Sequence, residues 1–371
     1  RKLLNIARKI HRFLPEKIRK RARIFVDKAG ITGALTADTH NGIVSPEVKA
    51  ILSSARNGET ENFNKSFDAY RREKIPTPAE NRMISAALSY LSYATYPSTS
   101  SIKLAWWGHP YPGNFGDWLS PYLLQKYSRA QIEFQSLHEP TKEKHLVAIG
   151  SIGRFIGRNS IVVGTGVSSL EYPLDPNAKY FSLRGPRSAG LLMKSGGPQV
   201  EAFGDPALLT SRIYPVIRGE TNGKIAFIRH HSHKALPVKL PENFEELSIL
   251  RSHSAQIEEL FIALNHYEAV VTSAMHIFIV CQSYGIPVAL VTFKGFEEAV
   301  HGDGIKYIDY CEGAGVPTVT PTSIPLDLRK LSLENLMTNE KIGDEKLNEV
   351  EISLVNAIEE YLTTSPKIAV R

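Results

Sequence analysis

The chain has 371 residues, of which 42% are hydrophobic and 22% charged, a composition typical of soluble globular proteins. Its length favours two domains over a single core. The formal net charge of +6 is concentrated in residues 1–30, which hold eleven Lys or Arg against two acidic residues, so the rest of the chain is mildly acidic and a nucleic-acid-binding body is excluded.

The N-terminal arm, residues 1–30, has apolar residues at helical spacing, with basic side chains on the other faces. Two interpretations stay open for this predicted helix. It lies on an anionic membrane surface as a peripheral contact, or it packs on the protein itself. The apolar residues are Leu3, Ile6, Ala7, Ile10, Phe13 and Leu14.

Residues 30–100 read as polar helices with a linker near residues 97–101, so we assign residues 1–100 to a basic N-terminal helical extension. No run of about 18–20 apolar residues predicts a membrane span. Cys281 and Cys311 lack metal-ligand or redox spacing. These observations predict a cytoplasmic protein, with the inner face of the membrane as the site of any peripheral contact.

Short apolar runs alternate with helical stretches from residue 102 onward, in two successive series. This pattern predicts parallel strands joined by crossover helices. The fold class is therefore α/β, with two doubly wound Rossmann-like domains, residues 101–215 and 216–330, in a GT-B-like arrangement. A C-terminal helical segment, residues 331–371, completes the chain. Strands are predicted at residues 102–107, 145–149, 161–163, 180–183, 200–203, 224–228, 247–250, 269–272 and 288–291.

Candidate site residues of the first domain follow its predicted strands, where parallel sheets bind ligands. Asp117 begins a helix, either as its N-cap or as a group that faces a ligand. Arg184 leaves a buried strand and can present its guanidinium to a carboxylate or phosphate, or bind loop carbonyls instead. The remaining candidates lie in loops and glycine turns that can approach an anion: Asn114, Gly150, Ser151, Gly166 and Asp205.

In the second domain, three histidines occur within residues 230–233, but neighbouring side chains diverge and no cysteine or carboxylate supports a metal site. We therefore expect no metal, and one histidine, His230, facing the cleft. Ser273 is predicted to cap the next helix. His276 lies in the first turn of that helix, where anions are favoured.

These segments together resemble the polysaccharide pyruvyl transferase family, and they occur in family order over residues 102–310. The matching segments are residues 114–117, 119–121, 150–151, 164–166, 184–188, 204–206, 227–231, 273–276 and 285–287.

The resemblance implies a GT-B-like fold and transfer of a pyruvyl group from phosphoenolpyruvate to a sugar of a surface polysaccharide or its precursor. The products are a pyruvate ketal and phosphate. No cofactor is implied besides phosphoenolpyruvate as donor substrate. The partner is a saccharide acceptor, which is free, lipid-linked or nucleotide-linked.

The resemblance also assigns roles to residues. Arg184 and His276 fall on the family positions for donor binding and catalysis. On the acceptor side, we expect His230 or Asp117 to orient or deprotonate a sugar hydroxyl. Many members carry Arg where this chain has Ala274 and Gly where it has Ile277. Candidates to replace the missing arginine are Arg229, Lys294 and Lys306, with Ser273 also placed at the donor.

Two other functions remain open on the sequence alone. One is a glycosyltransferase of GT-B type that uses a nucleotide sugar in polysaccharide synthesis. The other is a carbohydrate-binding protein that kept the fold without catalysis. The retained Arg184 and His276 favour an enzyme.

Overall fold

A computed structural model describes residues 44–364 of the chain. The N-terminal arm, and with it the predicted amphipathic helix, lies outside the described residues. Within residues 44–364, none of the helices combines the length and the apolar character that crossing a bilayer demands.

Three helices open the described part of the chain: α1 (Pro46–Arg56), α2 (Thr60–Glu73) and α3 (Pro78–Ala94). Helix α3 begins with a capping box, in which Thr77 and Glu80 satisfy each other's backbone N–H groups. Helices α1 and α3 pack together, and α3 contacts the edge strand of the first sheet. This helical region is therefore attached to the first domain.

The first sheet has five parallel strands in the order β2-β1-β3-β4-β5. Its central strands are buried, as expected for a sheet with helices on both faces. The strands are β1 (Ser101–Ala105), β2 (Gln131–Gln135), β3 (His145–Val147), β4 (Ser160–Val162) and β5 (Lys179–Tyr180), and the helices are α4 (Phe115–Ser128), α5 (Pro186–Lys194) and α6 (Thr210–Ile213).

The second sheet also has five parallel strands, in the order β10-β9-β8-β6-β7. Its strands are β6 (Ile225–Ile228), β7 (Phe244–Glu246), β8 (Ala269–Thr272), β9 (Val288–Phe293) and β10 (Thr322–Ile324), and its helices are α7 (Ser254–His266), α8 (Met275–Tyr284) and α9 (Ile305–Ala314). Two parallel five-stranded sheets confirm the α/β prediction with Rossmann-like halves.

The two halves share one hydrophobic core and a direct backbone connection. The amide of Phe115 donates to the carbonyl of Ile249, and Asn114 forms an isolated antiparallel bridge with Leu250. The last helix, α10 (Asp344–Thr364), returns from the second half to pack against β1, β3 and β4. The loop before α4 is thereby held between the two sheets.

Several predicted elements differ from the structure. Residues 200–203 form no strand, because only Phe203 makes an isolated bridge, to Leu183. The strand predicted at residues 247–250 lies instead at β7, three residues earlier. Strands β2 and β10 were missed, since their half-polar sequences do not form an apolar run.

Candidate active site

The candidate site lies where loops leaving the carboxyl ends of both sheets meet. Gly150 and His230 lie in the loops after β3 and β6, and Asp117 and His276 lie in the first turns of α4 and α8, the helices that follow β1 and β8. Ligands of open parallel sheets bind at this edge. The Ser120 hydroxyl accepts the amide of Ile149 at 3.0 Å, which fixes α4 against the turn at Gly150.

His276 and Asp205 form a buried pair at the centre of the site. Nε2 of His276 lies 3.8 Å from Oδ2 of Asp205, whose side chain is fully buried, while 14% of the His276 side chain is exposed. Within residues 44–364 neither atom has a hydrogen-bond partner. The other carboxylate oxygen of Asp205 accepts the amide of Ala207 and caps a 3₁₀ turn, so the carboxylate is held in place.

Gly116 makes room for the His276 ring. A Cβ atom at residue 116 would lie 2.1 Å from Nδ1 of His276, closer than any non-bonded contact allows. Gly116 therefore allows α4 to approach α8 closely. Asp205 faces Nε2 of the imidazole, and Gly116 lies next to Nδ1.

Asp117 lies in the first turn of α4 and is not its N-cap. Asn114 holds that position, and its side-chain amide donates to Oδ2 of Asp117 at 2.6 Å. Burial raises the pKa of Asp117 to about 6, against the opposing effects of His276, Asn114 and Lys306. A carboxyl group with this pKa can both take up and release a proton near neutral pH.

Arg184 is fully buried beneath the site. Its Nε donates to Oδ2 of Asp309 at 3.2 Å, and its terminal nitrogens donate to the Ser151 hydroxyl and the Val167 carbonyl, both at 2.7 Å. Gly166 permits this packing, since a Cβ there would lie 2.4 Å from Cζ of Arg184. The guanidinium therefore contacts protein groups, and Ser151 lies between the guanidinium and the cleft.

Asp309 was missed from the sequence, although it completes this buried network. Its oxygens also accept the amide and the hydroxyl of Ser188. Gly185 and Gly313 bring the strand exit and α9 into backbone contact, because a Cβ at either would lie under 2 Å from a carbonyl oxygen. The network therefore holds α9, which carries Lys306, against the first domain.

Of the three cations expected to replace the missing arginine, Lys306 is the one whose charge acts on Asp117 and His230, while its Nζ donates to the carbonyl of His301 at 3.3 Å. Burial and the nearby charge of Arg184 lower the pKa of Lys306 to about 8, while Asp117 opposes that effect. Arg229 instead pairs with Glu246 and donates to the carbonyls of His233 and Leu236. Lys294 is exposed in the turn after β9.

His230 lies beside the cluster, and Ser273 is not the helix cap expected from the sequence. Ala274 is the N-cap of α8. The Ser273 hydroxyl accepts the amide of His230 and contacts Nδ1 of His233, both at 2.9 Å. Burial, followed by the neighbouring His231 and Lys306, holds the pKa of His230 well below its usual value.

The tautomer of His230 follows from its neighbours. Its Nδ1 accepts the amide of Ser232 at 3.3 Å and lies 2.5 Å from the Ser232 hydroxyl. Since Nδ1 accepts, the proton of the neutral ring is on Nε2. His230 can therefore donate a hydrogen bond into the site.

The structure thus brings together Asp117, Asp205, His230, His276 and Lys306, with Gly150 and Ser151 as one wall. Within residues 44–364, no three His, Cys, Asp or Glu side chains are grouped so that they could hold a metal ion.

Comparison with known proteins gives one match. The family model described as polysaccharide pyruvyl transferase matches residues 61–294, more than half of the chain. No curated protein and no solved structure matches the chain.

Proposed function

Because the chain belongs to the polysaccharide pyruvyl transferase family and is thus a transferase of pyruvyl groups to a polysaccharide, we propose that its donor is phosphoenolpyruvate and its product a cyclic pyruvate ketal. The acceptor is a sugar of a surface polysaccharide or its precursor. The observation that carries this proposal is the His276–Asp205 pair. Asp117, whose pKa is raised by burial, and the cation Lys306 complete the group.

Ketal formation needs an acid, a base and a binding site for a doubly anionic donor. A proton adds to the methylene carbon of phosphoenolpyruvate, and a sugar hydroxyl attacks the cationic carbon that results. Phosphate then leaves, and a second hydroxyl of the same sugar closes the ring. One hydroxyl proton replaces the proton delivered to the methyl group, and the other departs on phosphate.

His276 suits the role of general acid. The Asp205 carboxylate faces Nε2 at 3.8 Å and orients the ring, and it accepts the Nε2 proton as the acidic member of a triad does once the two groups come within hydrogen-bond distance. Nδ1, over Gly116, is then the nitrogen that exchanges a proton with the donor carbon. Replacement of His276 by Ala with folding intact and little loss of turnover would refute this role.

Asp117 is the better candidate for the base that takes the sugar hydroxyl proton. The choice between Asp117 and His230 depends on His230 Nδ1, which accepts the Ser232 amide and leaves Nε2 as a donor. We assign His230 to orientation of a hydroxyl or phosphate oxygen and Asp117 to deprotonation.

The donor anion is held by Lys306 together with the turn at Gly150 and Ser151. Arg184 acts from behind this turn, because its guanidinium donates to the Ser151 hydroxyl and leaves that hydroxyl's own proton for a ligand. Its positive charge stabilises an anion in the cleft without direct contact. The two facing sheets with this cleft between them fit a GT-B-like arrangement.

Ligand stabilisation tests the donor class. Phosphoenolpyruvate, added at about 100 times its Kd, is expected to stabilise the protein by about 2.7 kcal/mol and raise its Tm. Stabilisation by nucleotide sugars, with none by phosphoenolpyruvate, would favour a glycosyltransferase on the same fold. Lys306→Met is the matched variant, in which the phosphoenolpyruvate effect is expected to be lost.

A further inference from the structure

A group of four aromatic rings lies beside the candidate site and has no role in the chemistry above. We call Trp107, His109, His138 and Phe155 the aromatic platform. The Trp107 ring centroid lies 5.4 Å from that of His138, 6.1 Å from Phe155 and 6.5 Å from His109. His138 and Phe155 are 5.2 Å apart. The four rings form one contiguous surface.

The platform differs from the aromatic core by its exposure. Trp106 and Trp118 are at most 1% exposed, whereas Trp107, His109 and Phe155 are partly exposed and His138 is exposed. Single partly exposed rings are common, but a contiguous group of them is a feature of ligand-binding surfaces.

A cation borders the platform. The guanidinium of Arg154 lies 4.6 Å from the Phe155 ring centroid and 5.4 Å from that of Tyr172. Burial, with Arg56 nearby, lowers the pKa of His109 to about 4, so its ring is neutral at physiological pH. The surface therefore combines uncharged ring faces with a hydrogen-bond donor at its edge.

The platform is continuous with the candidate site along two chain segments. Trp107 opens the loop that leads from β1 to Asn114 and Asp117. Phe155 ends the 3₁₀ turn Gly153–Phe155, which is separated from Gly150 and Ser151 by Ile152 alone. Both segments leave the carboxyl ends of adjacent strands, so a molecule bound in the site can extend onto the platform.

We propose that the aromatic platform binds a second sugar ring of the acceptor, adjacent to the ring that receives the pyruvyl group. The C–H face of a pyranose packs against aromatic rings, and its rim of hydroxyls suits donors such as Arg154. An oligosaccharide fits both requirements, whereas phosphoenolpyruvate has no comparable apolar face. This inference rests on the proposed function for the identity of the reacting ring.

Tryptophan fluorescence tests the proposal without turnover, because the chain has three Trp residues and only Trp107 has appreciable exposure. We would titrate the protein with neutral di- and tetrasaccharides of glucose, galactose and mannose. At least one is expected to shift or quench the emission. Trp107→Phe keeps an aromatic ring but removes the fluorescent indole at this position. The saccharide-dependent change in emission is therefore expected to disappear, while the emission of Trp106 and Trp118 still shows that the core is folded.

Steady-state kinetics of the pyruvyl transfer provide the second test of the proposal. With oligosaccharide acceptors, Trp107→Ala is expected to raise the acceptor KM about tenfold, the loss of one stacking contact of about 1.4 kcal/mol, and to do so more than it lowers kcat. Ile217→Ala, at a residue 96% exposed, is the control for substitution itself. An unchanged acceptor KM in Trp107→Ala would overturn the proposal.

The two proposals fail separately. A saccharide-dependent Trp107 signal without phosphate release from phosphoenolpyruvate supports the platform and contradicts the proposed donor. Ketal formation with no Trp107 response to any saccharide of the panel, including an acceptor that is turned over, contradicts the platform and leaves the proposed function standing.

Discussion

Oδ2 of Asp205 lies 3.8 Å from Nε2 of His276, and both atoms are buried without a hydrogen-bond partner in the described part of the chain. A fixed carboxylate that faces a ring nitrogen at this distance orients the ring and becomes a hydrogen-bond acceptor for its N–H after a small approach. This pairing links the segment between α5 and α6 of the first domain with the first turn of α8, and it distinguishes His276 from a core histidine.

Asp205→Asn is expected to lower kcat at least about tenfold, because the neutral amide removes the negative charge that faces Nε2 of His276 and orients its ring. His276→Ala is expected to lower kcat by about 10²- to 10⁴-fold. Steady-state phosphate release measures both. In the double variant the losses should not add, since the two residues act as a unit; fully additive losses would separate their roles.

The pH dependence of turnover is expected to fall off below about pH 6, since Asp117 must be ionised to accept a proton and burial raises its pKa to about 6. Asp117→Asn should have low activity, and its activity should not decrease further below pH 6. If the decrease below pH 6 persists unchanged in the Asn variant, it is caused by the titration of another group.

Stability should respond to the same carboxyl group in the opposite direction. Its folded pKa lies above the ordinary value of 3.8, so the folded state retains the proton to higher pH than the unfolded state. Its stabilising contribution is complete below about pH 3.8 and is lost as the pH rises through about 6. Urea unfolding across this range, compared with Asp117→Asn, measures the difference.

Binding of phosphoenolpyruvate is expected to weaken above about pH 8, because Lys306 then loses the charge that holds the donor. Lys306→Arg retains its charge, and the donor KM should stay level to higher pH. The Met variant should show a high donor KM at every pH. A wild-type donor KM that is flat from pH 7 to 9.5 would exclude Lys306 as the main donor cation.

Gly116→Ala is expected to displace the His276 ring and lower kcat at least about tenfold, since geometry errors of this kind reduce proton transfer. The added Cβ would lie 2.1 Å from Nδ1. Gly190→Ala is the control, because a Cβ there meets no atom within 4 Å inside α5, and it should leave activity intact. Equal activity of both variants would mean that the ring moves without consequence.

The sequence predicts the class of fold and the places where chemistry gathers better than it predicts individual partners. Apolar runs indicate buried parallel strands, and loops after such strands must meet at one edge. His230, His276, Asp117 and Asp205 were predicted in this way, and the structure brings them together, although the strand predicted before Asp205 is absent from the described residues. The half-polar strands β2 and β10 were missed because their pattern is shared with loops.

Contacts between distant segments could not be predicted. Arg184 was predicted to leave a strand, but β5 ends at Tyr180 and Leu183 makes only an isolated bridge. Its counter-ion Asp309 comes from α9 of the second half, and the packing of Gly185 against α9 brings the two side chains together. Ser273 was predicted to cap a helix for the same reason. Its hydroxyl instead contacts His230 and His233, which lie in another loop. A local capping rule does not include such contacts.

The central claim is tested most directly by phosphate release from phosphoenolpyruvate in the presence of free, lipid-linked and nucleotide-linked hexose acceptors, with mass spectrometry of the product. We predict that phosphate appears with one acceptor class, that the sugar gains the mass of a pyruvate ketal, and that His276→Ala loses both signals. Absence of phosphate release and of the ketal mass with every acceptor, while a nucleotide sugar is consumed, would contradict the account.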